Sequence, residues 1–471
     1  MNSTELCFLS VSRLAKLIEG KDISPVDLVT AYLARIELLE PRLNSFITVL
    51  SEQALDEARK AEKEIAAGRY RGPLHGIPMT AKDLFLSKGV RTTLGTRIYD
   101  TRVPDEDSTL IARLKEAGAI LIGKANLNPL AYGEIAEEGH FDYGHMHNPW
   151  DPSLVSGGSS GGSGSATAAG EVGFALGSDT GGSVRIPCAL CGIVGLKPTY
   201  GRLSRRGMTT LSWSLDSPGP MTRTVEDNAL VMNAIAGFDP KDASSADMPV
   251  PDYTKALTGD VKGLRIGMPK EFFEVPVDPT VKETVLRAIE EMRALGATVH
   301  EVTWPLYHYY ESISTILLLV EGAAAYRELV CTKGSGLYEP LRMRLEAGLF
   351  VSAADYIQAQ QSRVLFNRQC NELFTKVDLL VGPSTPITAT KIGSSDITIG
   401  DTVMGVTALH TQYLSPFNIT GLPSLTLPCG FSAGLPVGLQ IVGRAFDEQT
   451  VLRAAHAYEK ATDWHLRRPS L

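Results

Sequence analysis

The sequence predicts an α/β fold, in which helices pack against a sheet. Helix-like patterns alternate with short apolar runs along the chain, and those runs have the length and continuity of buried strands. Capping residues mark the ends of several helix-like patterns. With 471 residues, the chain can bury about three quarters of its unfolded surface, so a large core is available.

The first helix is predicted to begin at Ser24. Pro25 follows it directly and Asp27 lies three residues after it, a combination typical of a helix start. Apolar side chains then recur with helical spacing and define one face, which contains Leu28, Tyr32, Ile36 and Leu39. A second helix is predicted over Ser51–Ala67, which is rich in Ala, Glu and Lys.

Two later helices each lead into a strand. One covers Ser108–Ala117 and ends at Gly118, and the other covers Asp278–Leu295. The strands predicted from apolar runs are Ala119–Gly123, Leu264–Met268, Thr298–Val302, Asp378–Pro383 and Val437–Gly443. Between Asp239 and Pro251 the chain is crowded with Asp, Ser, Ala and Pro, which indicates a loop.

Charge, hydropathy and cysteine usage predict a cytoplasmic protein. Lys and Arg number 45 against 53 Asp and Glu, a net charge of −8, which argues against a nucleic-acid partner. The apolar run Ile313–Glu321 is shorter than the about 18 residues of a membrane helix and predicts a buried helix instead. The amino end lacks a secretory signal pattern, and the six scattered cysteines form no disulfide framework. We therefore expect no membrane partner.

Two serine-bearing glycine loops and one lysine point to acyl transfer. The loops are Gly157–Gly162 and Gly177–Ser183, and Lys82 lies upstream in Gly76–Asp83. A hydroxyl nucleophile needs a base, and neighbouring glycine amides can bind the oxyanion that forms when it attacks a carbonyl. Linker loops would not lie between buried apolar runs, and no Gly-Lys-Ser/Thr completes a phosphate loop.

The segment Gly157–Thr199 resembles the defining segment of the amidase signature family of serine hydrolases. Shorter matches flank it, and the resemblance covers roughly Phe8–Glu459. It implies one domain over residues 1–471, built as an α/β/α sandwich around a large, twisted, mixed sheet. The loop-like stretch before residue 252 could have been a domain linker, but strand patterns resume soon after it.

The resemblance also implies roles for individual residues. Ser183 would be the nucleophile, Lys82 the base, and Ser159, held in a cis peptide, the bridge between them. The oxyanion hole would contain Thr180, Gly181 and Gly182. Asp179 and Arg185 would form a supporting charge pair, and Ser160 would be structural.

A lysine base sets requirements of its own. Lys82 must be neutral to accept a proton, so burial or cationic neighbours must lower its pKa from about 10.4. Ser159 can then relay the proton from Ser183, and neither a histidine nor a metal nor a cofactor is required. Cys188 and Cys191 have the spacing of half a zinc site, but no second ligand pair accompanies them, so they are interpreted as buried thiols.

The substrate prediction depends on what lines the acyl pocket. Glutaminase A subunits of tRNA-dependent amidotransferases carry Gln and Asp where this chain has Ile186 and Thr411. We therefore expect a general amidase or urethanase, with a small aryl or alkyl amide or a carbamate bound by Ala131, Tyr132 and Gly158 and by the variable segment Tyr307–Phe366. The unusual run Glu137–Tyr143 follows Tyr132. The alternatives are an inactive binding homologue and the glutaminase A subunit, and a homodimer is allowed.

Overall fold

The computed structural model describes residues 2–133 and 141–471, and in them an 11-stranded mixed sheet lies between flanking helices, which confirms the predicted fold class. The strands of the described ranges are β1 Phe46–Val49, β2 Pro78–Lys82, β3 Ile120–Ala125, β4 His147–Asn148, β5 Asp151–Val155, β6 Phe174–Asp179, β7 Val194–Lys197, β8 Ser217–Thr222, β9 Arg265–Pro269, β10 Thr298–Val302, β11 Leu379–Pro383, β12 Asp396–Ile399, β13 Thr402–Gly405, β14 Ser424–Ser432 and β15 Leu435–Val442. Outside the 11-stranded sheet, β4 pairs with β5 and β12 pairs with β13.

The helices are distributed along the whole chain. They are α1 Ser3–Cys7, α2 Val11–Glu19, α3 Pro25–Leu43, α4 Ser51–Ala66, α5 Thr109–Glu116, α6 Gly161–Ala168, α7 Arg185–Cys191, α8 Val225–Ile235, α9 Glu271–Glu274, α10 Pro279–Ala294, α11 Tyr310–Lys333, α12 Glu339–Phe350, α13 Ala353–Leu373, α14 Val406–Thr411, α15 Ser415–Ile419 and α16 Glu448–Ala461. In the two described ranges, no helix is both long and apolar enough to cross a membrane.

Local capping chemistry places the predicted helix starts. The Ser24 side chain accepts the Asp27 amide at the start of α3, and the four predicted face residues of that helix are buried. Ser108 caps α5 and Asp278 caps α10 in the same way. The strands predicted around residues 120, 266, 300, 380 and 440 all form.

The sheet order is β1-β3-β2-β6-β8-β7-β14-β15-β11-β9-β10. Strand β2 pairs in parallel with both β3 and β6, whereas β6 pairs antiparallel with β8. The carboxyl ends of β2 and β6 and the start of β8 therefore meet at one edge of the sheet. This edge carries the loops that the sequence marks as catalytic.

The glycine-serine run after Ser160 forms helix α6 rather than the loop that its composition indicates. The helix packs so tightly that a Cβ added at Gly162 would lie 2.4 Å from the Ser45 carbonyl oxygen and 2.6 Å from that of Asn126. Small residues are therefore required for packing here. Tertiary contacts override the weak helix propensity of glycine.

Candidate active site

Lys82 ends β2 and is fully buried. Its Nζ donates to Ser159 Oγ at 2.7 Å and to Ser178 Oγ at 2.9 Å. Ser178 belongs to the neighbouring parallel strand β6 and was not singled out in the sequence. The lysine is therefore held between two hydroxyl groups, one of which is the predicted bridge.

The electrostatic environment suits a lysine that acts as a base. Burial lowers the pKa of Lys82 to about 7, and the negative charges of Asp179 and Asp216 oppose part of that shift. No carboxylate in the described ranges lies within ion-pair distance of its ammonium group. A substantial fraction of Lys82 is therefore neutral near neutral pH.

The two serine loops lie against each other. The peptide bond between Gly158 and Ser159 is cis. The Ser160 amide donates to the Ser183 carbonyl oxygen at 3.3 Å, and Ser160 Oγ donates to the Ser178 carbonyl oxygen at 3.2 Å. Ser160 therefore ties the loops together, and Ser183, between β6 and α7, lines a cavity of about 300 Å³.

Asp179 and Arg185 form a fully buried ion pair, with Asp179 Oδ1 2.8 Å from Arg185 Nη2. Asn418 Nδ2 also donates to Asp179 Oδ1, at 2.8 Å. Burial works to raise the pKa of Asp179, but the charge and hydrogen bonds of Arg185, with help from Asn418, hold it at about 2. The sequence missed Asn418, which no motif marks.

The predicted oxyanion residues differ in what their amides do. The Gly182 amide donates to Asp179 Oδ1 at 2.9 Å, so in this structure it is engaged in holding the loop. The amides of Thr180 and Gly181 donate to no acceptor in the described part of the chain. Thr180 and Gly181 also line the cavity, so their amides are the ones left to bind a substrate oxygen.

Ala131, Tyr132 and Gly158, the residues expected to bind the substrate, all line this cavity. The first four residues of the run Glu137–Tyr143 lie outside the described residues. Leu211, Leu215 and Leu318 contribute apolar wall. Besides Tyr132, Thr180 and Ser183, the lining residues with hydroxyl groups are Tyr310, Ser314, Thr315, Thr407, Thr411 and Ser415.

Three charged residues near the cavity are marked by no pattern in the sequence. Glu311 lies on α11, Arg344 on α12, and Asp216 precedes β8. Glu311 and Arg344 line the cavity, whereas Asp216 accepts a hydrogen bond from the side chain of Thr180. Each is an isolated charged residue outside any motif, so only the tertiary structure reveals its position.

The expected absence of metal stays a prediction. Within residues 2–133 and 141–471, no group of three or more His, Cys, Asp or Glu side chains could hold a metal ion. Cys188 and Cys191 are free and buried, and burial raises the pKa of both thiols.

A large mixed sheet that carries paired serine loops and a buried lysine at one edge defines a class of hydrolytic enzyme. The model of the amidase family matches residues 27–452. The chain belongs to the amidase signature family and is a hydrolase that acts on carbon–nitrogen bonds.

Two relatives that are similar over their full length carry the same name. The chain is 43% identical to the A subunit of the glutamyl-tRNA(Gln) amidotransferase of Chloroflexus aggregans, with 99% of each chain covered. It is also 43% identical to the protein of that name from Geobacillus kaustophilus, with 98% of this chain and 99% of the relative covered.

Solved structures of the family are similar over nearly the whole chain. One, of a "vestigial protein complex" that "reveals the evolutionary origins of an s-triazine catabolic enzyme", has a TM-score of 0.92 and 32% identity over 98% of this chain and 100% of that one. The A subunit of the glutamyl-tRNA(Gln) amidotransferase of Thermotoga maritima has a TM-score of 0.82 and 35% identity over 97% and 95%. A bacterial aryl acylamidase has a TM-score of 0.89 but only 26% identity, over 98% and 99%.

These relatives overturn two predictions. The choice of a general amidase or urethanase over the amidotransferase A subunit is wrong, because full-length relatives at 43% identity carry the name of that amidotransferase. The exclusion of a nucleic-acid partner is wrong for the same reason, since those relatives belong to an enzyme named for glutamyl-tRNA. The substrate argument failed physically because it sought a carboxylate only at position 411, whereas Glu311 brings one to the cavity from α11.

Proposed function

We propose that the chain is the glutamine-hydrolysing A subunit of an amidotransferase that acts on glutamyl-tRNA. The observation that carries this proposal is a pair of opposite charges, Glu311 and Arg344, at the cavity that contains Ser183. Glutamine carries both an ammonium and a carboxylate group at the end remote from its amide, so it can pair with both charges. The names of the relatives support an amidotransferase that acts on glutamyl-tRNA.

The described residues leave both side chains without a partner. Glu311 and Arg344 are exposed, and neither forms a side-chain hydrogen bond or an ion pair with another described residue. Arg344 Nη1 lies 3.2 Å from the position that a Cβ on Gly133 would occupy, so the guanidinium lies against the loop that follows Tyr132. A guanidinium can bind a carboxylate through two parallel hydrogen bonds.

The cavity dimensions suit this assignment. A volume of about 300 Å³ lies at the lower end of the range for small-molecule pockets. The apolar walls of Leu211, Leu215 and Leu318 match the methylene groups of glutamine. The charged end of glutamine would remain at the exposed rim of the cavity, which is formed by Glu311 and Arg344. The side-chain amide of glutamine would reach Ser183.

The proposed reaction uses Ser183, Ser159 and Lys82. Ser183 Oγ attacks the amide carbon of glutamine while its proton passes through Ser159 Oγ to neutral Lys82. The amides of Thr180 and Gly181 stabilise the negative oxygen of the tetrahedral intermediate. The proton then returns to the leaving nitrogen, which departs as ammonia, and water hydrolyses the γ-glutamyl ester on Ser183 to glutamate.

The remaining assignments belong to the same proposal. Asp179 and Arg185 hold the loop between β6 and α7 and touch no substrate. Within the amidotransferase, the chain would supply ammonia to a reaction on glutamyl-tRNA. The single domain over residues 1–471 and the cytoplasmic location stay predictions.

The test pairs two rim variants with two glutamine analogues, each lacking one charge. Glutaramic acid lacks the ammonium group and 4-aminobutanamide lacks the carboxylate. For the unaltered chain, kcat/KM for ammonia release should be about a hundredfold lower with either analogue, because a rim charge is left unpaired. Glu311→Gln should lose glutamine turnover but not glutaramic acid turnover, and Arg344→Gln should lose glutamine turnover but not 4-aminobutanamide turnover.

Each rim variant has a matched control on its own helix. Glu328→Gln on α11 and Arg342→Gln on α12 remove the same charges at positions that do not line the cavity, and both should retain glutamine turnover. The proposal is contradicted if the unaltered chain hydrolyses an acyl anilide better than glutamine. It also fails if neither rim variant changes the preference between glutamine and its analogues.

A further inference from the structure

The buried carboxylate of Asp216 is hydrogen-bonded to two residues that line the cavity. The antiparallel pairing of Asp179 with Ser217 brings Asp216 beside Thr180 at the edge of the sheet. Asp216 Oδ1 accepts the Thr180 hydroxyl at 2.6 Å, and Oδ2 accepts the Leu211 amide at 2.8 Å. Thr180 and Leu211 both line the cavity, and each is bonded to a different oxygen of this carboxylate.

Asp216 is held by neutral donors. The third donor is the Ser212 amide, 3.1 Å from Oδ2, and no cation of the described residues lies within ion-pair distance. Only 2% of Asp216 is exposed. Burying a carboxylate without a cationic partner lowers the stability of the fold. The position of Asp216 beside Thr180 therefore indicates that this carboxylate has a function there.

The turn over residues 211–216, which contains Asp216, is hydrogen-bonded to the helix that carries Glu311. Ser212 Oγ donates to Glu321 Oε2 at 2.6 Å, and the Ser214 hydroxyl donates to Glu321 Oε1 at 2.7 Å. Glu321 lies on α11, ten residues after Glu311. A continuous chain of hydrogen bonds therefore runs from the oxyanion loop through Asp216 to the helix that would bind the substrate ammonium group.

We propose that Asp216 is a positioning residue that fixes the Thr180 amide relative to the cavity wall. The inference rests on the proposed function in taking Ser183 as the nucleophile and the Thr180 amide as an oxyanion donor. Asp216 exchanges no proton with substrate. It acts through the Thr180 hydroxyl, because an oxyanion donor contributes fully only when it is held in place before the reaction.

Two substitutions remove, from either side, the charge-assisted hydrogen bond between the Thr180 hydroxyl and the Asp216 carboxylate. Thr180→Val keeps the volume of the side chain and removes the donor, and Asp216→Asn replaces one acceptor oxygen with a donor group. Because both act through one hydrogen bond, their effects should not add, and the double variant should be no slower than the slower single variant. Thr180→Ser retains the hydroxyl and should restore function.

The readout is the rate at which a fluorophosphonate probe modifies Ser183, which does not depend on the identity of the natural substrate. Thr180→Val and Asp216→Asn should slow modification by about tenfold to a hundredfold, and Thr180→Ser by less than about threefold. With glutamine, kcat should fall while KM changes little. Thr222→Val is the matched control, since it removes a buried hydroxyl from the far end of β8.

The melting temperature of each variant separates positioning from a loss of fold, and Thr180→Val provides the decisive result should Asp216→Asn not fold. Modification of Thr180→Val at the unaltered rate overturns the inference. So do additive losses in the double variant, or a Thr180→Ser variant as slow as Thr180→Val. An unaltered chain that is not modified at Ser183 contradicts the proposed function as well.

Discussion

Replacing Lys82 with methionine should abolish turnover and stabilise the fold at neutral pH. The pKa of Lys82 falls from 10.5 to about 7 on burial, so the unfolded chain binds a proton more strongly than the folded chain between these values. Below about pH 7 this difference costs the fold roughly 4 to 5 kcal/mol, and the cost disappears as pH rises above about 10.5. Methionine carries no such cost.

The expected increase in the free energy of unfolding is smaller than this cost of burying the charged lysine. Ser159 and Ser178 lose a hydrogen-bond partner in the variant, which costs about 1 to 2 kcal/mol. A net stabilisation of about 2 to 4 kcal/mol at pH 7 remains. For a chain of this length it corresponds to a rise of only a few degrees in Tm.

Thermal unfolding at several pH values tests this reasoning, with Lys376→Met as the control for removing an exposed lysine. The advantage of Lys82→Met should shrink by most of its value between pH 7 and pH 10. The argument that burial lowers the pKa of Lys82 to about 7 would be refuted by a variant that is less stable than the unaltered chain at pH 7. A gain in stability that does not change with pH would refute it as well.

Three further outcomes are expected. The kcat/KM for glutamine should rise about tenfold between pH 6 and pH 8 as Lys82 loses its proton, and a profile flat over that range would contradict a lysine base. Arg185→Leu should destabilise the fold by about 3 to 5 kcal/mol in denaturant unfolding, because it leaves Asp179 charged and unpaired in the core, and a change below about 1 kcal/mol would contradict that account. A chelator should leave glutamine turnover unchanged because neutral Lys82 supplies the base, and inhibition reversed by zinc would show otherwise.

The sequence predicted those features that depend on neighbouring residues. Helix starts at Ser24, Ser108 and Asp278 follow from side chains that cap amides within three residues. The order of the sheet could not be predicted in this way, because β14 pairs with β7 across more than two hundred residues. Helix α6 was missed because its glycines are selected by close packing.

The candidate site was likewise predictable only where its residues belong to local motifs. Lys82, Ser159 and Ser183 lie in loops whose motifs are local, and the structure brings Lys82 into hydrogen-bond contact with Ser159. Glu311 and Arg344 reach the cavity from separate helices more than a hundred residues away from Ser183. The substrate prediction was wrong because Ile186 and Thr411 alone do not define a pocket. The net charge likewise describes one chain and not its partners in an assembly.

Mass spectrometry of the peptide that carries Ser183, after acid quenching of glutamine turnover, tests the central claim most directly. The account predicts a γ-glutamyl ester on Ser183 and release of one ammonia for each ester formed, with neither observed for Ser183→Ala. Ser160→Ala, which alters the neighbouring loop, should still form the ester. Ammonia release without an adduct on Ser183, or an adduct on another residue, would contradict the account.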